Sequence, residues 1–200
     1  MRVSAHVGRE GVVMASAKPV IAFLAKYHVA ATRHTLERIA SSPGAASRGP
    51  LPYMFFDTIH ATMNHIAGVD ELWRLRLSGQ TSAAFDKFYL NDPATSGVKD
   101  GALWLERQPD WELARGEALE AAKATQAFVD AQPDEAFLEL VSYARTDGST
   151  ATIQRGPALM HLLNHATHHR GQVHAALTDL GVSGVVLDMP ALMGNDGCRF

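Results

Sequence analysis

Two hundred residues suffice for one domain with its own hydrophobic core. The chain is 46% apolar and 20% charged, an ordinary globular composition. Its 18 basic and 21 acidic residues leave a net charge of -3, without a run of Lys and Arg. That balance argues against nucleic-acid binding, which depends on cationic side chains neutralising phosphates.

The single cysteine, Cys198, excludes an intrachain disulfide and fits a reducing, cytoplasmic setting. It is read as a passive tail residue, because a reactive thiol needs a tuned environment. Residues 1–13 carry Arg2 and Arg9 but no apolar segment of secretory length. The longest apolar runs, such as 20–25, fall far short of the roughly 20 residues of a membrane span, so no membrane partner is expected. Residues 1–17 are taken as an N-terminal extension, 18–190 as one mainly α domain and 191–200 as a tail.

The first helix is predicted over 18–41. Pro19 suits its first turn, Ile21, Leu24, His28, Ala31 and Thr35 share a face, and Ser41-Ser42-Pro43-Gly44 ends it. The second is predicted over 55–78, with Ile59, Thr62, Ile66, Val69 and Trp73 as its seam and Gly79 as its stop. A connection of about 30 residues follows, with turn signals at Asn91-Asp92-Pro93 and Ser96-Gly97. Its length lets the chain cross over, so the helices on either side of it need not be antiparallel neighbours. The third helix is predicted over 110–131, with Asp110 as N-cap and Pro133 beyond its end. Asp147-Gly148, between the short runs 137–144 and 150–154, signals a β-hairpin. The fourth helix is predicted over 157–180 and ended by Gly181, with 182–200 irregular.

The chemistry concentrates in the fourth helix. His161, His165, His168 and His169 lie within nine residues. At 100° per residue, His169 sits about +40° from His165, His161 about -40° and His168 about -60°, so all four share one face. Imidazoles four residues apart have Cβ atoms roughly 5–6 Å apart and are able to grip one ion. A solvated cluster is the plain alternative, but imidazoles on a helix that also buries apolar residues need partners. Spacing alone does not choose between His161/His165 and His165/His169, and it supplies no third ligand. On the second helix His65 adjoins the apolar seam, whereas His60 points about 140° away. His65 is therefore the better inward candidate. His28 and His34 are read as packing or surface residues.

Asn64-His65-Ile66 followed by Asp70-Glu71-Leu72-Trp73 resembles the second helix of the DinB/YfiT-like family. His161-Leu162-Leu163-Asn164-His165-Ala166-Thr167-His168-His169-Arg170-Gly171-Gln172-Val173 resembles its fourth, and this match is long and specific. Their order, their separation, the hairpin and the later Leu187-Asp188 agree, so the resemblance covers 18–190. It implies an up-down-down-up four-helix bundle, often a homodimer, with His65, His165 and His169 as metal ligands. His161 and His168 become neighbours of the site. Gln172 shares the histidine face and is placed to hydrogen-bond a ligand imidazole. Arg170 is read first as an ion-pair partner of Asp57 or Asp70 tying helices together, and second as a site residue.

Three imidazoles leave open positions on the ion, as catalytic sites do. Zinc, nickel, iron and manganese all accept this ligand set. The resemblance implies a metal-dependent transferase using a low-molecular-weight thiol and a small-molecule substrate. A metal-dependent hydrolase, or a non-catalytic metal-binding stress-response protein, is the alternative.

Overall fold

The computed structural model describes residues 17–46, 49–80, 101–145 and 149–197. It is mainly helical. Helix α1 (Lys18–Ala40) carries Pro19 in its first turn, where the missing N–H costs no intrahelical bond. Helix α2 (Ile59–Leu77) begins four residues later than the pattern suggested. Asp57 adopts a left-handed φ of 62°, which stops helical winding before it. Thr58 then caps the helix by accepting from the Ala61 N–H at 3.0 Å.

Part of the long connection is itself helical, as α3 (Gly101–Arg107). Its expected turns at Asn91-Asp92-Pro93 and Ser96-Gly97 lie outside the described residues. Helix α4 (Trp111–Asp130) starts at Asp110, whose carboxylate accepts from the Glu112 and Leu113 N–H groups. A 3-10 turn (Asp134–Leu138) leads into the antiparallel pair β1 (Leu140–Ala144) and β2 (Thr150–Gln154), registered Leu140 to Gln154 and Ala144 to Thr150. The Asp147-Gly148 turn falls outside the described residues. Helix α5 (Arg155–Asp179) follows without a loop. The stretch expected to be irregular contains α6 (Met189–Gly197), broken at Gly194, which packs against α1. Cys198 and residues 1–16 lie outside the described residues.

Helices α1 and α2 each pack against α4 and α5, while α3 packs on α2. Two large apolar clusters fill most of the interior, and a small third one joins Phe56, Ala61 and Trp104. One large cluster joins Leu36 and Ile39 of α1, Ile59, Met63 and Ile66 of α2, Ala118 of α4 and Val173 and Leu177 of α5. The other joins Ile21 and Ala25, Val69, Trp73 and Leu77, Val129, and Leu159 and Leu162. Among the described residues no helix is long and apolar enough to cross a membrane.

Thr58→Ala removes the cap acceptor of α2 and is expected to lower unfolding stability by about 1 kcal/mol in chemical denaturation.

Candidate metal centre

Residues 59–70 of α2 are all buried, because α3 covers the side that the other helices leave. His65 is 7% exposed and His169 is 6% exposed. His65 Nε2 lies 3.0 Å from His165 Nε2. The His169 ring is centred 4.6 Å from that of His65 and 4.4 Å from that of His165. One nitrogen from each of the three lies within 4.8 Å of the others. Two nitrogens held at about 2.0–2.1 Å by a tetrahedral ion stand roughly 3.3 Å apart, so the His65–His165 spacing already suits a shared ion.

The electrostatics suit it too. Burial, with the neighbouring His165 and His169 adding to it, drives the His65 pKa far below its ordinary value. Burial first, then His169 and the other nearby imidazoles, pushes His165 down to about 3. His169 is also lowered, chiefly by burial. The three are therefore neutral near pH 7, the form that offers a lone pair to a cation.

Gln172 Oε1 lies 2.9 Å from His169 Nδ1. An amide oxygen only accepts, so His169 carries its proton on Nδ1 and keeps the Nε2 lone pair for a ligand role. The Nδ1 atoms of His65 and His165 are buried without a protein hydrogen-bond partner, so only His169 has this support among the described residues.

The remaining candidates are arranged around this triad. His161 is exposed, with its ring 6.0 Å from His165 and 5.2 Å from Trp73, and it is not one of the converging three. His168 is also exposed, 4.9 Å ring to ring from His169. Arg170 turns into the core instead, and its nearest partner is His28 rather than either carboxylate expected from sequence. His60 does lie apart from the triad, yet it is buried and its Nε2 sits 2.8 Å from the Gln108 carbonyl. His34 bonds the Gly184 carbonyl at 3.2 Å.

Three residues not singled out from sequence wall the site. The Phe56 ring is 4.2 Å from His65 and 5.5 Å from His169. Trp104 of α3 meets His65 edge-on at 4.5 Å. Gly68 makes that approach feasible, since a Cβ there would come within 2.8 Å of the Trp104 ring. Asn64 secures the wall by donating to the carbonyls of Trp104 and Gln108, both at 2.9 Å.

A family model, DinB family, matches residues 20–196. The chain belongs to the DinB family. The match runs past the boundary expected at 190 and takes in most of α6. No characterised protein and no solved structure gives a significant match. The matched stretch contains all three histidines of the cluster.

Gln172→Leu is expected to weaken metal binding about 10- to 100-fold while leaving the helical content intact, as competition with a chelator would measure. Acid should destabilise the metal-free protein. The unfolded chain takes up protons from about pH 6.5 downwards, whereas folded His165 resists until about 3. Stability is therefore lost as pH falls through that interval. The melting temperature of chelated protein should drop across it, and less steeply in His165→Gln.

Proposed function

We propose that this DinB-family chain is a metal-dependent enzyme, with one divalent ion held by His65, His165 and His169 between α2 and α5. The observation that carries the proposal is the convergence of three neutral imidazoles, two buried and one half-buried, on one point. Three nitrogen ligands are the set used where a position stays open for substrate. A divalent ion in such a site supplies a Lewis acid that lowers the pKa of a bound thiol or water.

The protein's own residues do the rest. Gln172 orients His169 by accepting a hydrogen bond from its Nδ1–H. Phe56 and Trp104 keep water from the faces of His65. Phe55, 39% exposed with its ring 6.5 Å from His169, offers apolar surface at the rim for a small-molecule substrate. His161 and His168 are exposed beside His165 and His169 respectively. We favour a thiol-dependent S-transferase. The thiol would come from a small cosubstrate, because Cys198 stands outside the family motif. The thiol proton leaves to solvent, sulfur bonds the electrophilic carbon, and the leaving group departs with the bonding pair.

The proposal extends to an up-down-down-up four-helix bundle. Its support is that the C-terminal halves of α1 and α5 share one core cluster with the N-terminal halves of α2 and α4, and the reverse holds in the other cluster. A homodimer and a cytoplasmic setting complete it.

Ala at His65, His165 or His169 should strip most of the metal, whereas His60→Ala should not, by elemental analysis. Metal-free protein should regain thiol-dependent turnover when a divalent ion is restored, and Cys198→Ser should leave it nearly unchanged. Turnover without any thiol would favour a hydrolase. No turnover with any thiol, together with a large loss of melting temperature on chelation, would favour a non-catalytic metal protein. Full metal occupancy in His165→Ala would reject the assignment altogether.

A further inference from the structure

A second polar group lies in the interior, and the proposed chemistry does not use it. His28 of α1, Asp70 of α2 and Arg170 of α5 are each 1% exposed. Arg170 Nη1 is 2.6 Å from His28 Nδ1, and His28 Nε2 is 2.8 Å from Asp70 Oδ2. A guanidinium has no lone pair to offer, so His28 Nδ1 must accept. The imidazole proton then sits on Nε2 and is donated to Asp70. One neutral ring thus links a buried cation on α5 to a buried anion on α2. Arg170 also donates through Nη2 to Thr167 Oγ1 at 3.0 Å and lies over the Tyr27 ring at 5.6 Å. Tyr27 is anchored in turn by donating to the Leu187 carbonyl at 2.6 Å.

Such a group is a weak source of stability, because desolvating two charges offsets most of their attraction. Its best-attested use is to fix the register of packed helices. The placement fits that use. On α1 His28 falls between Ala25 of one apolar cluster and Leu36 of the other; on α2 Asp70 adjoins Val69, in the cluster of Ala25, and on α5 Arg170 lies between Ala166 and Val173, in the cluster of Leu36. Cores built from Leu, Val, Ile and Ala tolerate repacking and lose a unique arrangement before they lose stability. Arg170 directly follows His169, and Asp70 lies five residues, roughly 7.5 Å of helix, beyond His65.

We propose that His28, Asp70 and Arg170 are positioning residues for the metal ligands. By locking α2 to α5 through α1, they set how closely His65 meets His165 and His169, although none of the three is itself a ligand. This rests on the metal-centre proposal above.

The test uses the full chain, stripped of metal and titrated with Co2+ alone, reading both affinity and the visible absorption that reports ligand geometry. The apolar replacement His28→Leu/Asp70→Leu/Arg170→Met leaves no charge stranded. It should keep the helical circular dichroism and the thermal stability, yet bind Co2+ about tenfold or more weakly with an altered spectrum, a loss of the size that outer partners of ligands confer. His28→Gln, whose amide is able to accept from Arg170 and donate to Asp70, should retain the parent affinity and spectrum, whereas His28→Leu should not. An apolar variant with the parent's Co2+ affinity and spectrum would overturn the proposal. Equal affinities for His28→Gln and His28→Leu would do the same, even should the triple variant fail to fold. A parent protein that binds no Co2+ would reject the metal centre itself, and the positioning role with it.

Discussion

Helix α2 has no solvent face over residues 59–70, and the interior is organised around that constraint. A polar side chain on such a helix has to find a partner inside the protein or bear the cost of desolvation. Four of them do so in different directions. His60 reaches the Gln108 carbonyl, and Asn64 reaches the carbonyls of Trp104 and Gln108. His65 meets His165, and Asp70 meets His28. The first two hold down α3, the third builds the histidine triad, and the fourth ties α2 to α1 and onward to α5.

Burial also decides the charge state of the triad. Three imidazolium ions in this space would repel one another and forgo hydration, so the fold keeps the rings neutral. The same burial brings aromatic rings against the histidines. Gly68 is what lets the Trp104 ring close on α2, so a missing side chain contributes as much to the wall as the aromatic ring does.

The two polar groups occupy the middle of the helices, with an apolar cluster towards either end. An all-apolar middle would carry less desolvation cost, but it would specify the relative height of α2 and α5 less sharply. Histidines that converge from two helices need that height fixed to within a fraction of an ångström.

Much was legible in local pattern. Period-3.6 apolar spacing located the four long helices, the Asp147-Gly148 signal located the strands beside it, and 100° per residue put four histidines on one face of α5. These are properties of neighbouring residues, which a linear chain expresses directly. Spacing left His161/His165 and His165/His169 equivalent, and the family resemblance, not the geometry of one helix, pointed to the second pair. The distinction depends on which part of α5 faces His65, a contact between residues 100 apart in the chain. The same holds for Arg170, which joins Asp70 only through a histidine on a third helix, and for Trp104, which reaches His65 from within a connection whose path no periodicity describes. Helix identity follows from short-range sterics and burial pattern, whereas which histidines converge and which hydrogen-bond partners they find follow from the packing of helices whose relative height only the assembled core determines.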